Sequence, residues 1–201
     1  HEEFAKRRDL REKYIVTIDG ADSKDFDDAV SVEKMKNGNY LLGVHIADVS
    51  YFVKSGTYVD QEARNRANSV YLIDQVVPML PEVLSNNLCS LVPKEDRLTI
   101  SCDMEIDEKG RVLNHKIYES VINSKRRCTY DEIFEVISSI EKTAETENGE
   151  VEKEVLDFTP FEVDRIREML DLTKVLIRAR DKRGSIDFDN PEAEIKLDSF
   201  G

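Results

Sequence analysis

The chain has 201 residues, enough for one good-sized core, and carries 42 acidic against 29 basic residues for a formal net charge of −13. That sign argues against a protein that holds nucleic acid through a general basic surface. No apolar run approaches a membrane span and no signal peptide is visible, while three dispersed cysteines (Cys89, Cys102, Cys128) without CxxC spacing point to a reducing, cytoplasmic compartment and away from a zinc site.

Residues 1–13 are polar and charged and read as a short helix or linker leading into the domain. The first residue is His1 rather than Met, so a piece of a longer chain, or one that follows a cloning remnant, is expected. Tyr14 to Ile18 reads as a strand. An acidic loop follows, and then Ala29–Met35 and Tyr40–Ile46 flank Asn37-Gly38, the strongest short hairpin signal. His45 lies in the second arm. It is either a general base or a core histidine satisfied by a polar neighbour, and buried polar groups in general favour the second. Asp60 to Asn68 has helical spacing, and Ser69-Val-Tyr-Leu-Ile73 brings the chain back toward the acidic loop. Pro81 is placed to open a helix through Leu91, whose Ser85-Asn86-Asn87 either faces a ligand or only caps and turns.

Leu98, Ile100, Cys102, Met104 and Ile106 alternate on one face of a strand, Asp107 to Gly110 is a turn, and Val112 to Val121 returns. Ser124-Lys-Arg-Arg-Cys128 is the one compact basic run, and balancing nearby acids is the favoured reading over touching phosphate. Thr129 opens a helix through about Glu141, with Ile133, Val136, Ile137 and Ile140 on one face. Lys142 to Asp157 reads as a loop or insert. Pro160 to Lys182 is a longer helix with Val163, Ile166, Leu170, Thr173 and Ile177 at helical spacing, stopped by Gly184. Ser185 to Leu197 reads as strand, turn and strand. The sum is an α/β chain of the α+β kind: a mixed, largely antiparallel sheet with β-hairpins and packed helices, running from residue 14 to 201.

The stretch Thr17-Ile-Asp-Gly-Ala-Asp-Ser-Lys-Asp-Phe-Asp-Asp-Ala-Val30 places five carboxylates within ten residues, between apolar flanks. At about 4 Å and an effective dielectric of about 20, each pair of such charges costs roughly 4 kcal/mol. A fold relieves this by holding protons or binding a cation. Oxygen ligands without His or Cys suit Mg²⁺, Mn²⁺ or Ca²⁺. An EF-hand is excluded. Counted from Asp19 its ligand and glycine positions fall on Ala21, Ser23, Lys24 and Val30, and counted from Asp25 on Asp27, Ala29, Val30 and Lys36. One or two Mg²⁺ ions that keep waters for a substrate phosphate fit the remaining pattern. A plain acidic surface loop is the alternative, weakened by the apolar flanks that press the carboxylates against a core.

This stretch resembles the signature of the ribonuclease II/ribonuclease R family, the ribonuclease R branch more closely. Val44-His-Ile-Ala-Asp-Val-Ser50, Ser69-Val-Tyr-Leu72, Val77-Pro-Met-Leu-Pro81, Leu84-Ser-Asn-Asn-Leu-Cys-Ser-Leu91 and Gly184-Ser-Ile-Asp-Phe-Asp189 resemble it too, in the same order. The resemblance implies a Mg²⁺-dependent 3′-to-5′ exoribonuclease (Mn²⁺ substituting) that hydrolyses single-stranded RNA processively to nucleoside monophosphates. It implies Asp19, Asp25, Asp27 and Asp28 as metal-site residues, with Asp27 and Asp25 closest to the chemistry, and Tyr71 as an aromatic that stacks on RNA near the scissile end. It implies accessory cold-shock-like and S1-type RNA-binding domains, and a catalytic domain continuing past residue 201 with an active-site arginine and glutamate that nothing here matches. A chain of this kind alone is expected to be inactive. Two other readings stay open: a relative that binds RNA without hydrolysis, and an acidic protein-interaction module.

Overall fold

The alternating arms and the Asn37-Gly38 turn fold as their pattern predicts in the computed structural model, which describes residues 2–73, 75–145 and 157–186. Among these residues one seven-stranded sheet runs β1 (Arg8–Asp9), β8 (Val112–Asn123), β7 (Asp96–Ile106), β4 (Tyr40–Ala47), β3 (Asp28–Lys34), β2 (Val16–Asp19), β9 (Arg126–Thr129) from edge to edge. The inner pairs are antiparallel, and both edge strands pair parallel with their neighbours. Short helices α1 (Val49–Phe52) and α2 (Tyr58–Arg66) follow β4, and then a separate ribbon of β5 (Val70–Tyr71) and β6 (Val76–Val77). Two longer helices, α3 (Tyr130–Glu145) and α4 (Pro160–Lys182), lie after β9. The α+β class, with its mixed and mostly antiparallel sheet, is as the sequence predicts.

Those two helices cover one face of the sheet. Val136 and Ile140 of α3 and Val163 and Ile166 of α4 pack with Phe158 on Val16 and Cys128. Further along α4, Leu172 and Val175 lie on Val32, Tyr40 and Ile106. Each such side chain, fully buried, contributes at most about 1.5–3 kcal/mol. Thr159 caps α4 in a capping box with Glu162, and Pro160 occupies its first turn. The opposite face packs Ile15, Phe26, Ala29, Ala47, Cys89, Leu91 and Ile122. The three cysteines are free thiols. No helix among the described residues is long and apolar enough to cross a membrane.

Several expectations are corrected. Residues 1–13 give only a 3₁₀ turn at Phe4–Lys6, and Arg8–Asp9 join the sheet beside Ser120 and Val121. Arg7 anchors this segment: its guanidinium lies 2.7 Å from Asp48, both side chains being at most 3% exposed. The helix from Pro81 to Leu91 shrinks to a short turn that is helical at Glu82 and Val83 and π-helical at Leu84–Leu88, which leaves Ser90 and Leu91 outside it. The basic run, for which the sequence predicts no element, enters strand β9, and its Arg126 lies near Glu132 and Glu162 as the charge-balancing reading expects. In α4 the buried stripe passes through Leu172 and Val175, leaving Thr173 and Ile177 exposed, because the helix must follow β3 and β7. The α3 helix continues to Glu145, into the expected loop. The rest of that loop, residues 146–156, and the expected strands after Ile186 lie outside the described residues.

His45 is a buried structural histidine. Its Nδ1 lies 2.6 Å from Ser101 Oγ and its Nε2 3.2 Å from Ser31 Oγ. Ser101, Ser120 and Thr99 extend the network across β7 and β8 at 2.5 and 2.7 Å. Gly43 makes room for it, since a Cβ there would sit 2.5 Å from Ser31 Oγ and 2.9 Å from His45 Nε2. Burial, aided by the charge of Lys13, pulls the His45 pKa from 6.5 down to about 4. Between those values the unfolded chain binds a proton that the folded one refuses. The stabilisation is therefore complete above pH 6.5 and lost as pH falls through 4. In urea titrations, wild type should lose about 2–3 kcal/mol relative to His45→Gln across that window. A gap between the two proteins that does not change with pH would remove His45 from this role.

Candidate metal centre

The carboxylate loop spans the end of β2 to the start of β3, two strands whose register pairs only Val16 with Val30 before they diverge. Asp19 is the last residue of β2 and Asp28 the first of β3, so the sheet brings both to one end. Asp25 and Asp27 flank Phe26, which is 5% exposed and anchors the loop in the core. The backbone here is stitched to its surroundings. The Phe26 N–H donates to Ser90 Oγ at 3.0 Å, and the Ser90 hydroxyl donates to the Lys24 carbonyl at 2.9 Å. Leu91 N–H donates to the Phe26 carbonyl and Ala47 N–H to the Asp27 carbonyl, each at 2.9 Å. Tyr71, 68% exposed on its ribbon, brings its hydroxyl to 3.5 Å from Asp25 Oδ2.

The carboxylates act on one another. Burial first, then the charge of Asp28, raises the Asp19 pKa, and the nearby Arg127 opposes the rise. Asp27 is also raised, by protein that displaces water from its carboxyl and then by Asp25 and Asp28, although the residue as a whole stays open to solvent. The charge of Asp25 raises the Tyr71 phenol. Asp19 Oδ2 is buried with no hydrogen-bond partner. Among the described residues no group of three or more His, Cys, Asp or Glu is gathered closely enough to hold a metal ion. An all-carboxylate donor set, mutual repulsion and an orphaned oxygen at Asp19 nevertheless fit a hard divalent cation that would draw the side chains together.

The structure thus brings Asp19, Asp25, Asp27, Asp28 and Tyr71 to one region and leaves His45 in its serine network. Sequence reasoning missed Ser90, and its clue was the SNNLCSL stretch, read there for its asparagines. It also undervalued Arg127. The three basic residues of the run, Lys125 just before β9 and Arg126 and Arg127 within it, are each engaged. Lys125 Nζ bonds the Arg11 carbonyl. Arg126 lies over the Phe158 ring at 3.7 Å and near Glu132 and Glu162, and Arg127 bonds the carbonyls of Gly20 and Ala21.

A mixed sheet with an acidic loop at one end and two longer helices on one face makes this an α+β domain. Residues 7–201 match the RNB domain, and the chain belongs to that family, the ribonuclease II/ribonuclease R family. It is 52% identical over 196 residues to ribonuclease R of Thermotoga maritima, covering 97% of this chain and 26% of that protein. Solved structures of Mycoplasma genitalium RNase R match at 35% identity. The complex with double-stranded RNA gives a TM-score of 0.86 and covers 98% of this chain and 33% of that one. The complex with ribose-methylated single-stranded RNA gives 0.84, with 98% and 29% covered. A yeast protein described as a pseudonuclease matches at 26% identity and TM-score 0.62, over 69% of this chain and 17% of that one.

Removing the Ser90 hydroxyl strips a partner from a buried N–H and from a carbonyl of the loop. Ser90→Ala should cost about 1–3 kcal/mol of stability and speed hydrogen exchange at the Phe26 amide. Unaltered exchange there would show that the loop holds its shape without Ser90.

Proposed function

We propose that this chain is part of a 3′-to-5′ exoribonuclease that hydrolyses single-stranded RNA processively, with Mg²⁺ or Mn²⁺ as its cofactor, in the cytoplasm. The observation that carries the reading is the carboxylate loop with an exposed tyrosine hydroxyl at Asp25. A bound divalent cation would supply activation of the attacking water and stabilisation of the leaving oxygen. Asp19 and Asp28 are the direct ligands in this reading, each delivered by the end of a strand. Asp27, next to Asp28 in the chain, is the residue whose loss stops chemistry, and Asp25 orients water or a second ion. Tyr71 offers its ring as a platform for a terminal base. That RNA is the substrate is supported by the complexes of the Mycoplasma relative with RNA.

The chain covers about a quarter of the Thermotoga relative, at 26%. Accessory RNA-binding domains, and an arginine and a glutamate of the family active site, are assigned to the remainder. The 201-residue chain alone is then inactive. Stacking on Tyr71 contributes only ~1–3 kcal/mol, against ~8 kcal/mol for a micromolar complex. A non-hydrolytic RNA-binding relative is the second reading, supported by the likeness to a yeast pseudonuclease. The presence of all four aspartates counts against it.

Asp27→Asn in the full-length protein should abolish 3′ shortening of a labelled oligonucleotide while leaving its binding within a few fold. The variant keeps the size of the side chain and loses the charge. Cleavage at about a tenth of the normal rate or faster would take Asp27 out of the chemistry. The 201-residue chain, given Mn²⁺ and a 3′-extended RNA, should yield no stepwise products. Shortening that disappears with Asp27→Asn would show that these residues suffice.

A further inference from the structure

We infer that Arg127 is a positioning residue: it clamps the two halves of the carboxylate loop and so sets how Asp19 enters the metal site. The inference rests on the metal reading above and goes beyond it. Strand β9 lies parallel to β2, with Arg127 opposite Thr17 and Thr129 opposite Asp19. In a parallel ladder, partners and every second residue share a face, so Arg127 and Asp19 project to the same side. There one terminal nitrogen of the guanidinium donates to the carbonyls of Gly20, at 3.0 Å, and Ala21, at 2.5 Å. Those are the two residues by which the chain turns away after Asp19. The same guanidinium lies 5.4 Å from the centre of the Phe26 ring, between Asp25 and Asp27. One side chain therefore touches both the Asp19 half and the Asp25–Asp28 half of the loop. Its Nε is buried without a partner, as is Asp19 Oδ2.

Two explanations of this arginine predict opposite signs. A cation held near metal ligands repels a second cation. If Arg127 served only to balance charge, removing it would tighten metal binding, and a lysine would replace it without loss. A clamp needs one terminal nitrogen to reach both carbonyls while the flat guanidinium lies by the Phe26 ring; a lysine ammonium carries the charge but not that plane. If the clamp dominates, removing the charge and keeping it on a lysine both weaken metal binding, because the turn after Asp19 is released in each case. The doubled carbonyl contact and the ring contact favour the clamp.

The test is to measure Mn²⁺ affinity calorimetrically in the full-length protein for wild type, Arg127→Lys and Arg127→Met. Urea midpoints confirm that each variant is folded, and hydrogen exchange is followed at the Ser23 amide, which bonds the Gly20 carbonyl. Both variants should bind Mn²⁺ about tenfold or more weakly and exchange faster at Ser23. They should also need more metal for half-maximal RNA shortening, with the rate at saturating metal largely recovered. Tighter binding by Arg127→Met with a wild-type-like Arg127→Lys would overturn the clamp in favour of charge balance. Wild-type affinity in both variants would overturn it outright. A wild type that binds no Mn²⁺ defeats the metal reading instead. The clamp then stands or falls on Ser23 exchange, and unchanged protection in both variants overturns it.

Discussion

Like charges crowded at one end of a sheet govern how the rest of this molecule is built. Asp19, Asp25, Asp27 and Asp28 cannot hold one another, so other parts of the chain must hold their backbone. Phe26 supplies the anchor by burying its ring between two acidic neighbours. Ser90 and Leu91 take up the polar groups of residues 24 and 26, and Ala47 that of Asp27. The supports come from the irregular segment after the π-helical turn, the end of β4 and strand β9, which are remote in sequence. A loop built this way keeps its carboxylates poised against their own repulsion, the condition under which binding a cation is favourable.

The sheet beneath is made of two unlike faces. One is ordinary apolar packing under α3 and α4. On the other, Ser31, His45, Thr99, Ser101 and Ser120 lie fully or almost fully buried beside an apolar cluster. A hydroxyl or imidazole buried without a partner is costly, and here the partners are one another. Such a network tolerates little change in register, because a slip of one residue would carry the whole set to the helical face. The strands that deliver Asp19 and Asp28 are thereby held in one alignment.

The net charge of −13 reads differently once the basic side chains are placed. Arg7 pairs with Asp48 and Glu3, Arg11 with Asp9 and Asp96, Arg111 with Asp107, and Arg126 lies beside Glu132 and Glu162. These cations tie segments of the fold together and balance neighbouring carboxylates. These side chains are already engaged within the fold. Under the function proposed above, contact with RNA falls to a bound metal and an aromatic platform rather than to these cations.

The sequence by itself determined the local elements and the family. The Asn37-Gly38 hairpin, the β7–β8 pair, the start of α4 at Thr159-Pro160 and the acidic signature are each written in neighbouring residues, where turn chemistry and side-chain period act. Tyr71 and the four aspartates were legible as a set through the ordered motifs. What the tertiary structure alone decided is long-range. Edge strand β9 reads as a basic run because its partner lies over a hundred residues away, as the Thr17–Arg127 register shows. Thr99 and Ser101 look like a solvent face, because alternation records polarity and not what lies opposite. The roles of Ser90 and Arg127 depend on carbonyls that only folding brings within reach. Periodicity encodes which way a side chain points along its own strand; it does not encode which backbone will come to meet it.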